Sequence, residues 1–96
     1  MEGIRIMVEF KLEMTCFACP EQYDVYLDNK QVGYLRLRHG HFRCNYLECG
    51  GKRLFDTYTE GDGIFEEEER DPMIREALSA IMNKLKLTED FDYRIV

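Results

Sequence analysis

Ninety-six residues suffice for one domain with a modest core, burying roughly two-thirds of the surface that an unfolded chain exposes. Apolar content of 45% beside 33% charged residues excludes a disordered chain, and no apolar run approaches the roughly 20 residues of a membrane-spanning helix. The net charge of −6 argues against bulk binding of nucleic acid, but residues 29–53 hold six basic residues and one acid, a local +5 that leaves −11 elsewhere.

Residues 4–13 alternate, with Ile4, Ile6, Val8, Phe10 and Leu12 on one side. Arg5, Glu9, Lys11 and Glu13 occupy the other, with Met7 the exception. A period of two over this length predicts a half-buried strand. "MTCFACPEQ" breaks the alternation with a proline and reads as loop. A second strand covers residues 22–27 and ends at "DNKQ", which has turn composition. The third covers residues 32–38, the His39-Gly40 step turns the chain, and the fourth covers residues 41–46. "ECGGKR" is a further turn, "RLFDTY" a fifth strand and "TEGDG" a loop.

The helix start is expected at Asp71 as N-cap, with Pro72 at the first helical position. Ile74, Ala77, Leu78, Ile81, Met82 and Leu85 then recur at steps of three and four and form one apolar stripe. Phe91, Tyr93 and Ile95 alternate with Asp92 and Arg94, the pattern of a short edge strand. With no repeat and no linker, residues 1–96 read as a single α+β domain. Its expected form is an antiparallel β-meander of about five strands, with one C-terminal helix packed on the apolar face.

A two-residue His39-Gly40 turn sets Arg38 opposite His41, Leu37 opposite Phe42 and Arg36 opposite Arg43. Directly opposed residues share a face. One face then carries Tyr34, Arg36, Arg38, His41, Arg43 and Asn45, and the other Leu35, Leu37, Phe42, Cys44 and Tyr46. For the preceding turn, an odd loop at Asn29-Lys30-Gln31 keeps Val25 off the cationic face. It places Val25 opposite Leu35, Tyr23 opposite Leu37, Asp24 opposite Arg36 and Tyr26 opposite Tyr34.

This register supports two readings. In one, Asp24, Glu9 and Glu13 pair with the arginines across a solvated sheet face, each pair contributing under about 1 kcal/mol. In the other, Arg36, Arg38, His41 and Arg43 bind an anionic partner, nucleic acid or an acidic protein surface. The arginines would contact it bidentately, with Tyr34 and Tyr26 available for stacking. Crowded like charges need compensation from a ligand, a partner or the acidic segment 60–71, where seven carboxylates fall.

The cysteines in "CFAC" and "CNYLEC" have zinc-ribbon spacings. In the expected meander, however, Cys19 and Cys49 lie at opposite ends of the sheet, tens of Å apart at ~3.3 Å per residue. A set that falls near one end is Cys16, Cys19, His39 and His41, and zinc is the metal that suits it. Plain reduced thiols are the alternative, with Cys44 a core residue. A calcium loop in "EGDGIFEEEE" fails at its anchor. Gly63 at the sixth position puts Glu69 at the twelfth but Tyr58 at the first, where a carboxylate is needed.

No nucleophile elbow, phosphate-cradling glycine loop or partnered carboxylate pair assembles, so no enzyme activity is expected. "MEGIRIMVEF" lacks a basic region followed by an apolar block, and no signal peptide is expected. In "CPEQYDVYLDNKQVGYLRLRHGHFRC" and "GDGIFEEEERD" the chain resembles small uncharacterised proteins of bacterial and bacteriophage genomes, from about Thr15 to the helix. The resemblance implies an intracellular bacterial or phage-associated setting and carries no activity or site residue. The sequence therefore reads as a cytoplasmic binding or accessory module, monomer or homodimer, whose partner-binding residues are Tyr34, Arg36, Arg38, His41 and Arg43. A zinc-stabilised structural domain is the alternative.

Overall fold

The structure, a computed structural model, describes residues 7–16 and 20–96. Six strands and a helix follow one another as β1 (Met7–Met14), β2 (Glu21–Leu27), β3 (Lys30–Arg38), β4 (His41–Tyr46), β5 (Arg53–Tyr58), α1 (Glu67–Leu85) and β6 (Asp90–Ile95). The strands form one sheet in the order β5-β4-β3-β2-β1-β6, and α1 covers one face, an α+β architecture. Ile4 and Ile6, which open the alternating pattern, lie outside the described residues.

β1 to β5 form the expected antiparallel meander, and the final edge strand makes the sheet mixed. β6 pairs in parallel with β1, setting Val8 beside Phe91 and Phe10 beside Tyr93. The cause is the helical crossover. α1 carries the chain from the β5 edge across the apolar face to the far edge, and the reversal it supplies lets β6 run with β1.

Alternate residues of each strand fill the space beneath the helix. Val8, Phe10, Leu12, Tyr23, Val25, Leu35, Leu37, Phe42 and Cys44 are buried with Ile74, Ala77, Leu78, Ile81 and Met82 of the helical stripe. Cys44 is a core residue whose Sγ lies 3.8 Å from the Ala77 carbonyl oxygen, and burial pushes its thiol up to about 12. Gly33 lets the helix approach, because a Cβ there would lie 2.5 Å from Ile81 Cδ1.

The β3–β4 hairpin has the expected register, with Arg38 opposite His41, Leu37 opposite Phe42 and Arg36 opposite Arg43. His39 and Gly40 both take positive φ, 55° and 73°, as a type I′ turn requires. The β2–β3 connection differs. A two-residue turn at Asp28 and Asn29 (φ 53° and 68°) is followed by a shift at Val25/Tyr26 that leaves Val32 as the extra residue, so Val25 faces Gly33, Tyr23 faces Leu35 and Gln22 faces Arg36. The bulge changes parity as an odd loop would, and it keeps Tyr23 and Val25 in the core. It also moves Asp24 two residues away, opposite Tyr34 rather than Arg36.

The helix begins five residues before the expected start. Its N-cap is Glu66, and Glu66 and Glu69 form a reciprocal capping box. Glu67, Glu68 and Glu69 in the first turn complement the helix dipole. Pro72 lies inside the helix, near enough to the N-terminus that the carbonyl it orphans, on exposed Glu68, is open to water. Asp71 pairs instead with Arg75 and accepts from the Tyr93 hydroxyl at 2.6 Å, tying α1 to β6.

Candidate anion-binding face

The face of β3 and β4 turned away from the helix presents the expected cluster. Arg36 and Arg43 lie opposite each other, and Arg38 lies opposite His41. Gln22, not Asp24, stands across from Arg36 on β2, and Asp24 takes a hydrogen bond from Gln31. Asp56 is opposite Arg43 on β5, but its Oδ2 is spent on His41 Nε2 at 3.0 Å and Arg53 at 3.2 Å. The His41 hydrogen bond and the neighbouring Arg53 guanidinium hold the Asp56 carboxyl below its ordinary value.

Among the described residues, no carboxylate lies within ion-pairing distance of Arg36, Arg38 or Arg43. The Nε atoms of Arg36 and Arg43 are buried with no hydrogen-bond partner. A buried donor left without an acceptor costs roughly 1–3 kcal/mol, so the pair is costly as it stands.

Two adjoining cavities open on this cluster. The smaller, about 140 Å³, is lined by Arg36, Arg38, His39, His41 and Arg43. The larger, about 420 Å³, is lined by Arg36, Arg38 and His39 together with Pro20, Asp62 and Gly63. The loop that closes the larger cavity is hydrogen-bonded to the hairpin tip. Gly40 N–H donates to the Asp62 carbonyl, and Thr59 N–H donates to the Gly40 carbonyl.

Glu21 anchors the other side of that loop. Its N–H donates to the Gly63 carbonyl at 2.8 Å. Its carboxylate, 4% exposed, accepts from Phe65 N–H at 3.0 Å, from Arg70 Nε at 2.8 Å and from the Tyr23 hydroxyl. Burial raises the Glu21 carboxyl, but Arg70, Tyr23 and the Phe65 amide outweigh it and hold the group below its ordinary value. Sequence reasoning missed this network, because Glu21 precedes the expected second strand and looks like one more surface acid.

The acidic segment does not blanket the cationic face. Glu69 accepts from the backbone N–H groups of Glu60, Gly61 and Glu66, which is the role the calcium-loop pattern mimicked. Glu67 pairs with Arg70. Of this segment's carboxylates, Asp62 lines the larger cavity.

Tyr34 lies on the cationic face but is only 7% exposed, its hydroxyl donating to Gln22 Oε1 at 3.0 Å. Burial comes first in raising its phenol, and nearby Cys49 adds to it against Arg36 and Arg43. Tyr26 packs with Lys11, 5.3 Å from its ring centroid. The open ring beside the cluster is Tyr58, 81% exposed and 5.1 Å from the His41 ring. Extending the hairpin register by one strand, from His41 to Tyr58, would have found it.

Of the metal alternative, Cys16 follows β1 and is half-buried, His39 and His41 share the smaller cavity, and Cys19 lies outside the described residues. Among the described residues no group of three or more histidines, cysteines or carboxylates is arranged to hold a metal ion. No helix among them is long and apolar enough to cross a membrane. No protein-family model matches the chain, and neither does any curated protein or solved structure.

Proposed function

We propose that this chain is a small intracellular binding module that captures an anionic partner, nucleic acid or an acidic protein surface, on Arg36, Arg38, His41 and Arg43. The observation that carries this reading is the Arg36–Arg43 pair, two opposed guanidinium groups with buried Nε donors and no acceptor. A solvated structural face would pair such charges with its own carboxylates. Here Asp24 has moved out of register and Asp56 is engaged elsewhere. Two forks aimed into one cavity suit phosphate or carboxylate oxygens, which accept bidentate bonds.

The test is calorimetric titration with inorganic tripolyphosphate, comparing the native chain with Arg36→Glu plus Arg43→Glu. Binding that falls at least tenfold in the variant, with unchanged circular dichroism, supports the reading. Equal affinity in both proteins, or no binding by either, overturns it.

The alternative reading, a zinc site of Cys16, Cys19, His39 and His41, has two of its residues, His39 and His41, on one cavity, while Cys16, His39 and His41 do not by themselves form a metal-holding group. One zinc per chain in protein purified without chelator, lost together with thermal stability on chelation, would establish it.

A further inference from the structure

Resting on the anion-binding reading, we infer that the partner is single-stranded nucleic acid, its phosphates on the arginine cluster and one base stacked on Tyr58. Tyr58, His41 and Arg38 form one row across β5, β4 and β3, each in register with the next. With strands ~4.8 Å apart, the row spans about 10 Å. It runs from the exposed Tyr58 ring on the edge strand to the two cavities that Arg36 and Arg38 share. His41 supports one face of the Tyr58 ring, tilted 34°, and the ring's 81% exposure leaves it open to a base.

An aromatic platform beside a short positive track is how single strands are bound without sequence readout. The surrounding carboxylates select for a narrow polyanion. Asp56 borders the cluster on the β5 side and Asp62 borders it at the hairpin tip. A duplex or a broad acidic protein surface would bring its charges against both, whereas a single strand can follow the row between them. In the larger cavity, Asp62 offers an acceptor that an exocyclic base amine or a ribose hydroxyl can satisfy and a phosphate cannot. The apolar wall there is Pro20.

The experiment is fluorescence anisotropy with a labelled oligouridine of about eight nucleotides, within the site sizes of such proteins, with tripolyphosphate calorimetry in parallel. The expected result is binding that Tyr58→Ala weakens about tenfold or more, that Tyr58→Phe preserves, and that a duplex of equal length does not match. The salt dependence should have a log–log slope of roughly −2, from about −0.7 for each of three phosphates. Suppose tripolyphosphate binds through the arginines, but Tyr58→Ala leaves the oligonucleotide affinity unchanged or the duplex binds equally well. The single-strand inference then falls and the anion-binding reading stands. If neither tripolyphosphate nor oligonucleotide binds, both fall. Tyr58 is an exposed residue, so its replacement leaves the fold intact and the comparison interpretable.

Discussion

Arg36 and Arg43 face each other across the β3–β4 hairpin, and the Nε of each is buried without an acceptor. Opposed like charges destabilise a sheet, and a buried donor without a partner adds to the cost. On the proposed anion-binding reading, this cost is carried by the unliganded protein and would be offset by an anion that supplied acceptors to the cluster.

Neutralising the pair should therefore separate stability from binding. Arg36→Met plus Arg43→Met is expected to gain about 1 kcal/mol, raising Tm by roughly 4–8 °C in a domain of this size. The same variant should lose tripolyphosphate binding. Thermal melts in phosphate-free buffer measure the first effect, and a lower Tm would show that the arginines are structural.

The Glu21–Arg70 pair should behave in the opposite way. Glu21 is 4% exposed and Arg70 26%, so Glu21→Gln should cost about 2–4 kcal/mol, somewhat below the value for a fully buried pair. Because its folded-state pKa lies below the ordinary 4.5, the carboxylate's contribution is complete above that value and disappears as pH falls through the folded one. The gap in unfolding free energy between native protein and E21Q should be widest near pH 7 and close toward pH 3. A constant gap across that range would show that Glu21 acts through shape alone.

Gly33 and Ile81 form a packing pair that a double-mutant cycle can read. A Cβ at Gly33 would sit 2.5 Å from Ile81 Cδ1, and overpacking of that kind costs roughly 1–3 kcal/mol. Ile81→Val removes the Cδ1 atom at a cost of about 0.5–1.5 kcal/mol. G33A combined with I81V should be more stable than the sum of the single variants allows, as urea denaturation would reveal. Strict additivity would place the clash elsewhere.

The cysteines should differ in reactivity. Cys44 is buried with its thiol pushed up to about 12, while Cys49 is exposed and Cys16 half-buried. Brief alkylation followed by mass spectrometry should modify Cys49 before Cys16 and spare Cys44 until the protein is denatured. Early labelling of Cys44 in folded protein would contradict its place under the helix.

Much of the fold was legible because period-two alternation and the helical stripe report burial directly. Of the residues predicted to face inward on β1 to β4, Val8, Phe10, Leu12, Tyr23, Val25, Leu35, Leu37, Phe42 and Cys44 are buried and Tyr46 is half-buried, and the His39-Gly40 turn set the β3–β4 register. The bulge at Val32 was not legible, since a bulge and an odd loop satisfy the same parity. The early helix start was hidden by Pro72, which is strongly favoured at a first helical position but sits deeper here because the Glu66–Glu69 capping box begins the helix before it. The arginine cluster was visible in sequence. Its lack of carboxylate partners depended on where the bulge placed Asp24, and its exposed ring on carrying the register as far as Tyr58.

The most direct test of the central claim is a residue-resolved NMR titration of the native chain with tripolyphosphate, following backbone amides and arginine Nε signals. Anion binding at this cluster predicts saturable shifts confined to Arg36, Arg38, His39, His41 and Arg43 and the Asp62–Gly63 loop, with the Nε protons of Arg36 and Arg43 moving furthest. Shifts centred on another surface, or none at millimolar tripolyphosphate, would contradict it.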